Sequence, residues 1–186
     1  MMPYIQGEPL SVPKEFRNGY EEILTHTYIS RGDLGYLTID ESMTSKGKPH
    51  RGDRAKYGRA LHTEAGKTPE KLLCWGHTSP LRWGGGNKVF LDRDTQILLA
   101  NNLSSSCAVW EKEHEDTSLD GDIGNYADLY PLEEAIAMQA GEVHQIGVLT
   151  PHESLPTDKI YGRQFLRIVS NGVHGREDYF TKNPLM

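Results

Sequence analysis

The chain of 186 residues is poor in cysteine, in basic residues and in long apolar runs, and each shortage excludes a class of protein. Cys74 and Cys107 alone cannot build a disulfide framework, so we expect a reducing compartment. Lys and Arg number 20 against 26 Asp and Glu, and the formal charge of −6 argues against a general nucleic-acid coat. No stretch approaches the ~20 apolar residues of a membrane span, and the N-terminus lacks the pattern of a secretory signal. We therefore expect a soluble, cytoplasmic protein without a membrane partner.

Helical periodicity is also scarce, whereas short apolar runs are frequent. Helices are predicted around Lys14–Leu24 and over Leu132–Met138, where Pro131 suits the first position of a helix. Runs typical of strands alternate with polar, glycine-rich turns, and they comprise Gly35–Ile39, Lys71–Trp75, Lys88–Leu91, Gln96–Ala100, Ser106–Trp110, Val143–Leu149 and Gln164–Val169. Many short strands joined in this way indicate an antiparallel sandwich or barrel, and the jelly roll is one such form.

Two polar stretches are too long for tight turns. Ser42–Arg59 is a basic loop in an acidic protein, and Glu111–Asp128 is acidic and rich in Gly and Asp. Long loops inside compact domains are often lids or binding loops, and a solvated surface is the alternative. Because the basic loop precedes His62 directly, we expect it to lie near any site built on that histidine.

A candidate metal site begins with His62 and Glu64 in the run ALHTEAG. On a strand, side chains two positions apart point to the same face, so the imidazole and the carboxylate would project together. The alternative is an ordinary surface pair. His152 stands at the far end of an apolar strand and supplies a third ligand. Two histidines and one carboxylate with open positions form the facial triad of non-haem Fe(II) oxygenases.

Two arginines follow His152 in the run GRQFLRIV. Arg163, Phe165 and Arg167 share one face of the predicted strand. Burying two unpaired guanidinium groups is costly, so this face predicts an anionic partner. The planar fork of an arginine side chain would suit the carboxylate of a dicarboxylate co-substrate.

Two segments carry a resemblance to a known family, LHTEAGKTPEKLLCWGHTSPLRWGGGNKVF and GEVHQIGVLTPHESLPTDKIYGRQFLRIV. The first is similar to a His-Thr-acidic element followed by a proline, an apolar strand and a glycine pair. The second is similar to a Gly-acidic turn, a distal histidine and two arginines four residues apart. In these features the chain resembles the Fe(II)/2-oxoglutarate-dependent dioxygenases, in particular the taurine dioxygenase and clavaminate synthase-like branch, although it is short for that branch.

The resemblance implies a mainly β protein with a double-stranded β-helix, or jelly roll, and a few short flanking helices. It implies one domain over residues 1–186, with an N-terminal flanking segment and basic loop at 1–60 and a metal-binding core at 61–170. The implied activity is oxidation, in particular hydroxylation, of a small-molecule, amino-acid-derived or peptide-borne substrate. The implied cofactors are Fe(II) and 2-oxoglutarate.

The resemblance also implies roles for individual residues. His62, Glu64 and His152 would hold the iron, and Arg163 would pair with the distal carboxylate of 2-oxoglutarate. Arg167 would face the substrate or support the co-substrate. Where the family often has a threonine that contacts the same carboxylate, this chain offers Asn87 or Lys88.

Three other functions remain open on the residues alone. A cupin-like isomerase or lyase would share the jelly roll and the metal but would not require Arg163 and Arg167. A non-catalytic jelly-roll binding module would carry the same His and Glu residues on its surface. A zinc hydrolase would use His77 in GHTSP together with nearby carboxylates.

Overall fold

We describe the fold from a computed structural model, which covers residues 1–50, 58–64, 66–67, 73–75, 89–116, 121–170, 172–174 and 181–186. Across these ranges the protein is mainly β, with antiparallel strands and two short α-helices, as the sequence predicts. The strands are β1 Met2–Ile5, β2 Leu34–Met43, β3 Gly66–Lys67, β4 Leu73–Trp75, β5 Val89–Leu91, β6 Gln96–Asn101, β7 Cys107–Val109, β8 Ile136–Ala137, β9 Val143–Gly147, β10 His152–Ser154, β11 Gly162–Val169 and β12 Val173–His174. The helices are α1 Lys14–Arg17 and α2 Glu21–His26, and 3-10 turns span Pro9–Ser11, Gly124–Leu129 and Leu132–Glu134. No helix of the described ranges is long and apolar enough to cross a membrane.

The largest sheet has five strands in the order β1-β2-β11-β6-β9. Its centre is β11, which pairs with β2 on one side and with β6 on the other. Phe165 in β11 lies opposite Asp40 of β2 and Asn101 of β6, which fixes the register. Neighbouring side chains of a strand alternate between the two faces of a sheet. The register together with this alternation therefore fixes which residues of β11 and of its neighbours share a face.

A smaller sheet has the order β10-β7-β8. Residues 60–64 extend this sheet, since His62 and His152 exchange backbone hydrogen bonds of 3.0 and 2.9 Å. On its other side the 60–64 segment pairs with residues 121–123, through the bridge between His62 and Asp122. The order therefore becomes 60–64, β10, β7, β8. A third sheet runs β12-β5-β4-β3.

The apolar core lies between the five-stranded sheet and the smaller sheet and on the outer faces of both. Ile97 and Leu99 of β6 pack between the sheets with Val109 of β7, whereas Leu98 points to the opposite face of the five-stranded sheet. On that outer face α2 contributes the buried Leu24. Both faces of β6 are thus buried, which explains its almost uninterrupted apolar sequence.

The helix predicted over Leu132–Met138 is wrong. Only Leu132–Glu134 forms a 3-10 turn, and Ala135 is already extended at φ −82° and ψ 147°. Ile136 and Ala137 then pair with Val109 and Ala108 of β7. The run is short, so sheet pairing and burial outweigh its helical propensity.

The other predicted helix is divided. Its first part ends at Arg17 and its second begins at Glu21, because Gly19 adopts φ +82° between them. Each predicted strand overlaps an observed one, and residues 71, 72 and 88 lie outside the described ranges.

Candidate functional site

A pocket of about 580 Å³, part of it open to solvent, lies between the five-stranded sheet and the smaller sheet. Apolar side chains continuous with the core form one wall, namely Leu99, Cys107, Val109, Met138 and Phe165. The polar lining includes the predicted residues His62, Glu64, His152 and Arg163. Side chains that lie far apart in the sequence therefore share one concave site, which is where ligands usually bind.

His62 and His152 stand side by side at this pocket. Their backbones form a hydrogen-bonded antiparallel pair, so their side chains emerge on the same face. The ring centroids are 4.3 Å apart and the ring planes are inclined by 54°. The structure thus brings together two of the three predicted metal ligands.

Each ring is oriented by a carbonyl oxygen of its own segment. Nδ1 of His62 lies 2.7 Å from the Ala60 oxygen, and Nδ1 of His152 lies 2.9 Å from the Thr150 oxygen. A carbonyl can only accept, so both Nδ1 atoms carry the proton and the lone pair of each neutral ring is on Nε2. This is the tautomer and the outer support found for histidines that bind metals through Nε2.

Glu64 is buried at 6% exposure and lines the same pocket. Its backbone N–H donates to the Val148 oxygen at 3.1 Å, and its Oε1 accepts a hydrogen bond from Nη1 of Arg167. Arg167 is 1% exposed. Removing either Glu64 or Arg167 would leave the other as an unpaired buried charge, which is costly. Because both side chains need this contact, it constrains their orientation.

Arg163 lines the pocket from β11 and is 5% exposed. Its guanidinium carbon lies 4.5 Å from the centroid of the Phe165 ring, and its Nη1 is 3.7 Å from Oδ2 of Asp40. Among the described residues, Nη1 has no hydrogen-bond partner, and the same is true of the buried hydroxyls of Thr38 and Ser42 in the adjacent strand. Buried donors are normally satisfied, so this group has the chemistry of an anion site.

The types of the side chains suit a divalent metal ion, since two imidazoles and one carboxylate line the same pocket. In the arrangement described here, however, Glu64 is directed towards Arg167. Within the described ranges, no group of three or more His, Cys, Asp or Glu side chains stands close enough together to hold a metal ion. The structure therefore joins His62 to His152, and it places Glu64 and Arg163 on the same pocket without closing a three-ligand set.

Sequence reasoning missed the contact between Arg59 and Glu153. Arg59 belongs to the stretch predicted as a basic loop, and Glu153 points away from the face expected for a ligand. Nε of Arg59 lies 3.1 and 3.2 Å from the two carboxylate oxygens, and Nη2 lies 2.6 Å from Oε1. Proximity to His62 and His152 was the available signal, but nothing in the sequence shows that the two segments meet.

The remaining predicted residues are distributed as follows. Asn87, Lys88 and His77 lie outside the described residues. Of the predicted basic loop, Ser42 belongs to β2, and His50 contacts Asp40 with 3.1 Å between Nε2 and Oδ2. His50 thereby lies at the pocket, and residues 51–57 of the predicted basic loop lie outside the described residues.

No protein-family model and no curated protein sequence matches this chain. Among solved structures, the chain is similar to "EvdO2 from Micromonospora carbonacea var. aurantiaca", with 13% sequence identity and a TM-score of 0.43. The similarity covers 99% of this chain and 72% of the other.

Proposed function

We propose that the protein is an Fe(II)/2-oxoglutarate-dependent oxygenase that hydroxylates a small-molecule, amino-acid-derived or peptide-borne substrate. The single observation that carries the proposal is the pairing of His62 with His152 on a pocket that also receives Glu64 and the buried Arg163. The sequence motifs predict the same four residues for this chemistry.

We also propose a jelly roll, and the strand order supports it. If the third sheet and β1 are set aside, eight segments follow one another in the chain: β2, 60–64, β6, β7, β8, β9, β10 and β11. We number these segments one to eight in chain order. The five-stranded sheet then contains β2-β11-β6-β9, which is the order 1-8-3-6, and the smaller sheet contains 60–64, β10, β7 and β8, which is the order 2-7-4-5. Eight antiparallel strands that divide between two sheets in this way are the jelly-roll arrangement.

A carboxylate at Arg163 is supported by the unsatisfied donors around it. The register sets Arg163 opposite Ser42, and Arg167 opposite Thr38. A carboxylate bound at Arg163 would satisfy its Nη1, and Ser42, which pairs with Arg163, offers a buried hydroxyl without a hydrogen-bond partner among the described residues. This is the environment expected for the distal carboxylate of 2-oxoglutarate, with the keto-acid end directed to the two histidines.

Fe(II) and 2-oxoglutarate, when bound, supply dioxygen activation coupled to decarboxylation of 2-oxoglutarate to succinate and CO2. His62, His152 and Glu64 would hold the metal, and the carbonyls behind the two imidazoles keep Nε2 as the binding atom. Arg163 anchors the co-substrate through charge. The apolar wall, including Leu99 and Val109, excludes water from the reacting centre.

The test compares wild type with Arg163→Leu under anaerobic Fe(II) and 2-oxoglutarate. We expect wild type to show the weak visible charge-transfer band of the chelated keto-acid and, in air with ascorbate and a metabolite library, to release succinate. Arg163→Leu should bind Fe(II) but lose the band. Arg93→Leu is the matched control, since Arg93 is an exposed arginine paired with Glu113.

The same measurements separate the alternatives. Metal-dependent thermal stabilisation of wild type without the band would contradict the oxygenase and favour a metal-dependent isomerase or lyase. Absence of any stabilisation by metal would favour a non-catalytic binding module. Loss of Fe(II) binding in Arg163→Leu would contradict the assignment of Arg163 to the co-substrate.

A further inference from the structure

The two histidine-bearing segments are joined a second time on the face away from the imidazoles. Arg59 lies three residues before His62, and Glu153 directly follows His152. Since successive side chains of a strand point to opposite faces, the Glu153 carboxylate leaves β10 on the side opposite the His152 ring. Glu153 lies opposite Ala108 of the outer apolar cluster, whereas His152 lies opposite Val109 of the cluster between the sheets, so the ion pair connects the segments from the outer face of the smaller sheet.

The geometry of this pair is unusually complete. Nε and Nη2 of Arg59 bind the Glu153 carboxylate with distances from 2.6 to 3.2 Å, and Nη1 donates to the oxygens of Ala127 and Tyr130 at 3.1 and 2.8 Å. The guanidinium carbon also lies 5.4 Å from the centroid of the Trp110 ring. The Glu153 side chain is 4% exposed. A planar guanidinium can satisfy all these acceptors at once, and a lysine ammonium cannot.

The ion pair between Arg59 and Glu153 fixes the position of the segment that carries His62 relative to β10, in addition to its electrostatic attraction. Within the described residues, the direct backbone bonds between the 60–64 segment and β10 are those of His62 with His152, while Thr63 and Glu64 bond to Gly121 and Val148 instead. The two-point fork between Arg59 and Glu153 adds a second direct connection between the two histidine-bearing segments close to the rings, since it binds each segment within three residues of its histidine.

We propose that Arg59 and Glu153 are positioning residues that hold the His62 and His152 imidazoles in their observed mutual geometry and thereby set the affinity of the site for a divalent metal. The metal part of this inference rests on the proposed function. The ring-geometry part concerns the metal-free protein and stands apart from it.

The test uses the full chain with Glu153→Gln and Arg59→Lys. Arg93→Lys and Glu113→Gln are the matched controls, because that pair joins the same two groups at 2.9 Å but is exposed. The first readout is the nuclear Overhauser contact between the ring protons of His62 and His152 in the metal-free protein at about pH 8, where imidazoles are mostly neutral. Wild type and controls should show this contact, because the ring centroids are 4.3 Å apart. Both variants should weaken it.

The second readout is the dissociation constant of Co(II), measured from its visible absorption. Disturbing groups that orient metal ligands typically weakens metal binding about 10–100-fold, and we expect Glu153→Gln and Arg59→Lys to lie in that range. The controls should bind as wild type does. Variants that lose thermal stability yet keep the wild-type contact between the two rings and the wild-type Co(II) affinity would show a merely structural pair and overturn the proposal.

Two further outcomes are decisive. If the single variants do not fold, the double variant Arg59→Met/Glu153→Leu replaces the pair by apolar side chains, a change that buried ion pairs often tolerate. A wild-type contact between the two rings in the folded double variant would overturn the proposal, and a weakened contact would support it. If wild type itself fails to bind Co(II), the proposed function falls, and the contact between the rings alone decides the positioning role.

Discussion

Gly121→Ala should destabilise the protein specifically because Gly121 packs against the residue between His62 and Glu64. Gly121 adopts φ +76°, and a Cβ built on it would lie 2.4 Å from the backbone oxygen of Thr63. The Gly121 oxygen also accepts the Thr63 N–H at 2.9 Å, so the two backbones cannot separate without losing that bond. Gly141 is the matched control, since it has φ +79° but nothing within 4 Å of its Cβ position.

The expected magnitude has three parts. A left-handed φ costs alanine about 1–2 kcal/mol. An overlap with rigid backbone costs about 1–3 kcal/mol more. The lower entropy of the unfolded alanine chain returns roughly 0.4–1 kcal/mol. Gly121→Ala should therefore lose about 1–5 kcal/mol, which is about 1–3 kcal/mol more than Gly141→Ala should lose.

Urea unfolding followed by fluorescence measures both free energies, provided that the slope with denaturant is unchanged. Equal losses for Gly121→Ala and Gly141→Ala would refute the reasoning, because the two positions share φ and differ only in the space for a Cβ. A folded Gly121→Ala protein should also bind metal less tightly if the 60–64 segment is displaced. That second effect would be absent in Gly141→Ala.

Burial raises the pKa of Tyr4 above its ordinary value. Above about pH 10 the unfolded chain therefore releases a proton that the folded chain retains. The free energy of unfolding should then fall with rising pH by up to ~1.4 kcal/mol per pH unit for this group. Tyr4→Phe removes a hydroxyl that has no hydrogen-bond partner among the described residues. The variant should stay within about 1 kcal/mol of wild type at neutral pH, and urea unfolding at several pH values should show a smaller slope of stability with pH. An unchanged slope would contradict the assignment to Tyr4. Asn183→Ala should cost about 1–3 kcal/mol by thermal unfolding, because its Nδ2 donates to the Pro3 and Ser11 oxygens at 2.7 Å each, and a cost near zero would contradict this.

The mainly β character was predictable because alternating and continuous apolar runs report burial directly. Gln96–Ala100 is apolar at almost every position, and β6 is indeed buried on both faces. The region after Pro131 failed because local propensity carries little information over so few residues. Ala108 and Val109 of β7 decide its conformation by offering a strand to pair with, and the sequence of 132–138 does not contain that partner.

The residues of the candidate site could be predicted where a side-chain type is characteristic of one kind of ligand. His62, Glu64, His152 and Arg163 all line the pocket, and the sequence could single them out because a motif for metal or carboxylate binding can use only a few residue types. The bond between Arg59 and Glu153 joins positions 94 apart, and a pair of opposite charges at such a separation is common in any sequence. Only the folded topology selects this pair from the others.

The contact between Glu64 and Arg167 connects the two halves of the candidate site. An ionised carboxylate has about four lone-pair positions, so a hydrogen bond from Arg167 to Oε1 does not exhaust its capacity to bind a cation. A metal requires the ionised form of this carboxylate. The positive charge of Arg167 would at the same time weaken the attraction of this carboxylate for a second cation. A dianionic co-substrate bound at Arg163 would offset that repulsion, so metal and co-substrate should bind more tightly together than either does alone.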